Sequence, residues 1–209
     1  MPHAHDHGHD HSHTERDEHG NPKHLKAYLE KLLSPDRDEW QKPDEVIEAL
    51  RIKGRSVAEI GSGPGYFTLK LAEVVGAKGT VFAVEVEPKL LGILRDRLDE
   101  NEVSNVTPVL ALAEDPLLPR ASCDVILAVN SFHHFHELPA YLRKLKGALK
   151  RQGRIVNVDF HDRETPVGPP VDHRLSRAAF LAAARKAGLH LAREHDFLPY
   201  QYFLELTAK

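Results

Sequence analysis

A single cysteine, Cys123, stands in this chain of 209 residues, which excludes an intrachain disulfide and any cysteine-built metal cage. Cys123 sits beside an apolar run and reads as a small buried hydrophobe rather than a nucleophile. No stretch approaches the ~20 apolar residues that span a bilayer, and the first residues lack the apolar segment of a secretory signal. The cytoplasm is the expected compartment. Strong charge of one sign is also missing: 28 Lys and Arg against 31 Asp and Glu leave a net charge of -3. The whole chain therefore offers no electrostatic reason to expect nucleic acid or anionic lipid as a partner.

What is present divides unevenly. Residues 1–20 are low in complexity and nearly devoid of apolar side chains, so they read as a disordered tail that cannot offset its ordering entropy. His3, His5, His7, His9, His11 and His13 alternate there, with Asp6 and Asp10 interleaved. Such a tract captures a divalent metal weakly, whether or not that has a purpose, and its spacing differs from a run of contiguous histidines. Residues 21–209 read as one domain. Leu25, Tyr28, Leu29, Leu32 and Leu33 recur at helical spacing, and a second helix opens at Pro43.

Beyond residue 55 strands and helices alternate. Apolar strands are expected at 56–60, 80–84, 106–110, 125–129 and 154–159, and helices at 66–75, 89–101, 138–149 and 176–187. Two final strands, 190–197 and 202–207, have no helix between them and must pair antiparallel. The expected fold is α/β: a three-layer, Rossmann-like, doubly wound sheet, mostly parallel, with a C-terminal antiparallel strand.

The strongest motif runs from Val57 to Phe67, VAEIGSGPGYF. A strand enters a turn with Gly61, Gly63 and Gly65, and a helix follows immediately, offering unpaired N–H groups to a polar or anionic ligand. A nicotinamide fingerprint would place its third glycine where Tyr66 stands. Glu59, two places before the first glycine, can hold an ammonium group or fix the loop. Glu85 closes the second strand, where a carboxylate can accept both hydroxyls of a ribose; Glu87, just beyond, reads as a surface residue.

The spacing E-x-G-x-G-x-G before a helix resembles the first motif of class I S-adenosylmethionine-dependent methyltransferases. Further stations resemble the family in order. Ala113 to Pro119, AEDPLLP, looks like the acidic loop that faces adenine; 124–130, DVILAVN, like the fourth strand; 149–155, LKRQGRI, like the turn before the fifth. Two departures stand out: Leu112 replaces a common aspartate, and Arg151 and Gln152 replace a common Pro-Gly. The resemblance covers roughly residues 40–209. It implies S-adenosylmethionine as cofactor, held by Glu59, Gly61, Ser62, Gly63, Gly65, Glu85, Val86, Ala113, Glu114 and Asn130, and methyl transfer to an acceptor. Arsenite is an unsuitable acceptor for a chain with one thiol.

His133, His134, His136, His161 and His173 are expected near the carboxyl ends of strands four and five. His133 and His134 are candidates for a general base. The same histidines with Asp159 or Asp162 read alternatively as a metal site, or as packing residues. Segments 37–43, with Trp40, and 161–174 are short enough to cover a crevice as lids, which favours a small-molecule acceptor; Trp40 reads equally as a packing anchor. A competing reading is a non-catalytic protein that binds the cofactor or responds to metal through its tail. The residues specify neither the acceptor nor an oligomeric state.

Overall fold

The structure, a computed structural model, describes residues 25–208. The His-rich stretch, with His3, His5, His7, His9, His11 and His13, lies outside the described residues. Three short helices come first: α1 (Leu25–Leu32), α2 (Arg37–Gln41) and α3 (Pro43–Leu50). Then β1 (Ser56–Ile60), α4 (Tyr66–Val75), β2 (Thr80–Glu85), α5 (Pro88–Glu100) and β3 (Val106–Leu110) alternate. They are followed by β4 (Cys123–Val129), α6 (Leu138–Ala148), β5 (Leu149–Phe160), α7 (Arg177–Lys186), β6 (Leu189–His195) and β7 (Gln201–Ala208).

The seven strands form one sheet in the order β3-β2-β1-β4-β5-β7-β6. β1 to β5 are parallel, and β7 runs antiparallel to both β5 and β6. The order reverses between β1 and β4, so a crevice opens at their carboxyl ends, the usual ligand position of such sheets. The fold agrees with the expected architecture.

The apolar pattern explains the layers. In α5, Leu90, Leu91, Leu94 and Leu98 fall on one buried stripe, and α3 buries Val46, Ile47 and Leu50 likewise. Each such side chain contributes roughly 1.5–3 kcal/mol on leaving water. One core lies between the sheet and α6 and α7, around Phe132, Leu142 and Phe180; the other packs α3 and α4 on the opposite face, around Leu50, Phe67 and Leu71. Cys123 is buried in the first, and burial pushes its thiol up, away from the reactive thiolate. Ser176 caps α7 by accepting from the Ala179 amide at 3.1 Å.

Two elements differ from expectation. α6 stops at Ala148 and β5 begins at Leu149, so residues 150–153 belong to the strand rather than to a turn. Residues 37–43 include the one-turn helix α2, which ends at the left-handed Lys42, and a second left-handed residue, Arg51, closes α3.

Candidate active site

The glycine loop is shaped by backbone conformation. Gly61 has φ +74°, and a Cβ there would lie 2.4 Å from the Ser131 hydroxyl, which itself donates to the Ile60 carbonyl at 2.9 Å. Gly65 has φ +91°, and a Cβ there would strike Leu94 at 2.5 Å. Both positions thus favour glycine by conformation, and a side chain at either would oblige Ser131 or Leu94 to shift. The Gly63 amide donates to Glu85 Oε2 at 2.8 Å, while Glu85 Oε1 accepts from the Val86 and Glu87 amides at 2.8 and 3.0 Å. One carboxylate therefore joins the end of β2 to the loop after β1.

Glu59 points the other way, into the protein. It accepts from the Thr68 hydroxyl at 2.5 Å and so ties β1 to the first turns of α4. Burial pushes its carboxyl up to about 8, and the nearby Glu85 charge adds to this, against the Thr68 bond and the Arg37 charge. Glu87, expected at the surface, is 4% exposed and buried in the start of α5.

Val86 and Leu112, at the carboxyl ends of adjacent strands, are 48% and 51% exposed and offer an apolar rim to the crevice. Ala113 and Glu114 are exposed beside them. Asp115 cannot replace the aspartate missing at Leu112: it is held by Lys144 at 2.8 Å and by the Leu117 amide at 2.9 Å, which lower its carboxyl.

The N-terminal helices reach this loop. Leu32 of α1 lies 3.7 Å from where a Gly63 Cβ would be. The Arg37 guanidinium stacks 3.9 Å from the centre of the Tyr66 ring, whose hydroxyl donates to Asp38. Three carboxamides close a ring: Gln41 donates to Gln201 at 2.7 Å, Gln201 to Asn130 at 2.6 Å, and Asn130 back to Gln41 at 3.2 Å. The side chain of Asn130 is thus engaged in docking α2, and its backbone adopts φ +53°.

Of the five histidines, His133 meets a buried carboxylate. Its Nδ1 lies 3.1 Å from both oxygens of Asp159, a wholly buried carboxylate that also accepts from the Phe160 amide at 2.9 Å. His134 is exposed and lies ring against ring with His133 at 4.1 Å. His136 and His173 are exposed elsewhere, and His161, whose pKa burial lowers, lies edge-on to Tyr202 at 5.9 Å. Among the described residues no group of three or more His, Cys, Asp or Glu could hold a metal, which overturns the reading of these histidines with Asp159 or Asp162 as a metal site. Sequence spacing could not foresee this because side-chain direction at the strand ends decides it.

Both lid segments converge on Phe160. Trp40 packs on its ring at 5.4 Å between centroids, a Cβ at Gly168 would lie 2.6 Å from it, and the Arg174 guanidinium sits 5.1 Å from its centre. Arg174 also binds the His161 and Arg163 carbonyls at 2.9 and 2.6 Å, fastening the loop over the ring.

Residues 57–153 match the family model described as "Methyltransferase domain". Over that stretch, a little under half of the chain, it is similar to class I, Rossmann-like methyltransferases. The chain is 29% identical over 153 residues to the ubiquinone/menaquinone biosynthesis C-methyltransferase UbiE of Vibrio vulnificus, covering 73% of this chain and 56% of that protein. The chain therefore spans little more than half the length of such relatives. Among solved structures, a SAM-dependent methyltransferase from Aquifex aeolicus superposes with a TM-score of 0.82 at 24% identity, covering 86% of this chain and 96% of that one. The [4+2]-cyclase SpnF shares the fold at a TM-score of 0.66 and 16% identity, over 80% of each chain.

Similarity to methyltransferase domains implies S-adenosylmethionine as cofactor, and the residues present fit it. Ser62 Oγ, in the glycine loop, is buried without a hydrogen-bond partner, and Glu85 stands where a ribose diol would be received. Val86 and Leu112 offer apolar surface suited to a flat base. Among the described residues no helix is long and apolar enough to cross a membrane.

Proposed function

We propose that this chain transfers a methyl group from S-adenosylmethionine to a small aromatic acceptor of the phenol or hydroquinone kind. The cofactor, when bound, supplies an electrophilic methyl carbon on a sulfonium sulfur. Gly61, Ser62, Gly63 and Gly65 would receive its amino acid portion, Glu85 its ribose, and Val86, Ala113 and Glu114 its base, with Glu59 and Asn130 holding the surrounding loops in place.

The observation that carries the acceptor side is the His133–Asp159 pair. Asp159 fixes the imidazole through Nδ1, with two oxygens at 3.1 Å, which leaves Nε2 as the nitrogen available to a proton donor. Both residues sit at the carboxyl ends of β4 and β5, on the same edge of the sheet as the glycine loop. A phenolic proton taken by His133 makes the oxygen, and the ring carbons conjugated with it, better nucleophiles. The names of the quinone-pathway relatives and the cover that Trp40 and residues 161–174 give to Phe160 support a compact, flat acceptor.

The test uses the full chain, methyl-labelled S-adenosylmethionine and a panel of mono- and dihydric phenols. Label is expected in product, with kcat reduced about 10²- to 10⁴-fold by His133→Ala while cofactor affinity is retained. Tight cofactor binding without transfer to any acceptor would instead establish the non-catalytic binding protein. Capture of metal by the six alternating histidines remains a separate proposal, tested by titrating Zn²⁺ into chains with and without residues 1–20.

A further inference from the structure

At the opposite edge of the sheet, β5 carries an irregularity. Cys123 pairs with Leu149 and Val125 with Arg154, so Asp124 alone faces the four residues 150–153. The backbone is distorted there: Gln152 adopts φ +76°, and a Cβ on Gly153 would lie 2.9 Å from the Cys123 carbonyl. A left-handed non-glycine residue costs on the order of 1–3 kcal/mol, and such conformations concentrate at binding sites; bulges likewise serve to re-aim side chains. Here the bulge aims Lys150 and Arg151 outward beside the segment that enters β1.

Between them lies a cavity of about 110 Å³, lined by Arg55, Asp124, Val125, Arg151, Gln152 and Arg154. Its charges do not balance. Asp124 is already matched by Lys150 at 2.8 Å and Arg55 at 3.6 Å, and these contacts, with the Ser56 amide, keep its carboxyl low despite partial burial. Arg154 is matched by Glu205 at 2.6 Å. Among the described residues Arg151 has no carboxylate within ion-pairing distance, and Arg55, 60% exposed, holds only its long contact to Asp124. Three guanidinium groups thus surround a space whose one carboxylate is spent.

We propose that this cavity is a binding site for a phosphate oxyanion, gripped by Arg55 and Arg151. Guanidinium forks match phosphate oxygens in pairs, and the volume accommodates one tetrahedral anion. The site lies at the amino ends of β1, β4 and β5, a strand length of roughly 17 Å from the glycine loop, so it is distinct from the methyl-transfer crevice. The phosphate can be that of a free metabolite or of a lipid headgroup. The net charge of -3 concealed the site because its two gripping cations, Arg55 and Arg151, are 96 residues apart in the chain.

The test is titration of the full chain with inorganic phosphate, followed by the ¹⁵Nε resonances of arginine, and sedimentation with vesicles of phosphatidylglycerol or of neutral phosphatidylcholine. Saturable shifts at two arginines are expected, weakened at least tenfold in Arg151→Ala and in Arg55→Ala. Asp124→Asn removes the competing charge and is expected to tighten phosphate several-fold, a direction that a damaged fold would not give. Vesicle binding lost in the same variants assigns the headgroup; phosphate binding without vesicle binding assigns a free ligand. Shifts that are absent, or that persist in Arg151→Ala, overturn the proposal.

Discussion

Glu85 and Gly63 are joined by a 2.8 Å hydrogen bond from the glycine amide to the carboxylate, across the gap between β2 and the loop that leaves β1. The two strands at the base of the crevice therefore set the loop's position before any ligand arrives. The same carboxylate also caps the Val86 and Glu87 amides. Glu85→Ala leaves these donors unpaired and is expected to cost about 2–3 kcal/mol of stability, with S-adenosylmethionine affinity falling at least tenfold by calorimetric titration. Glu85→Gln, which keeps an accepting oxygen, should retain most of the stability while losing affinity. Undiminished binding in both variants would remove Glu85 from the cofactor site.

Glu59 makes the fold sensitive to pH. Its carboxyl ionises near 8 in the folded protein, against about 4.3 in an unfolded chain, so the folded state binds the extra proton between these values. Stability from this group is fully present below pH about 4 and is lost as pH rises through about 8. Thermal melts should show a midpoint that declines over this window, by a few degrees per kcal/mol. In Glu59→Gln, which preserves the Thr68 partner without a titrating proton, that decline should flatten; an unchanged slope would assign it to another group.

Gly61 admits no side chain. Gly61→Ala drives a methyl group into Ser131, whose hydroxyl bridges the Ile60 and Val129 carbonyls at 2.9 and 3.1 Å. A loss of about 1–3 kcal/mol is expected from overpacking, together with weakened cofactor binding. Gly61→Ala combined with Ser131→Ala removes the clashing hydroxyl and should recover part of the stability, leaving the strain at φ +74° and a tight 3.2 Å contact with the Cβ of residue 131.

The sheet was legible because its strands are short apolar runs divided by glycine and by amphipathic helices, and those periodicities are local. β1, α4 and β3 occupy the expected residues, and the Glu85 station follows from strand length alone. The bulge at 150–153 was not legible, since a strand and a turn share the sequence LKRQG equally well until the partner strand fixes the register. Nor could any local pattern reveal that Gln41 meets Gln201, 160 residues away, or that Asp159 rather than Asp162 orients His133. These contacts depend on which strand ends the topology brings together.

The carboxamide ring gives the next test. Gln41→Ala leaves Gln201 and Asn130 each with one buried hydrogen-bonding group unmatched, at an expected cost of about 1–3 kcal/mol. The loss should be local: α2 is expected to open to limited proteolysis near Trp40 while the sheet melts almost as before. Gln201→Ala should reproduce the effect, and the double variant should add little to either, since both remove the same ring.

That ring also imposes an order on biosynthesis. Gln41 emerges from the ribosome early, yet its partner Gln201 opens β7, the strand inserted between β5 and β6. The helices that overlie the glycine loop thus cannot reach their final seat on the sheet until the last strand has been made and placed. The cover of the crevice is thus translated before the sheet and is among the last parts to be assembled.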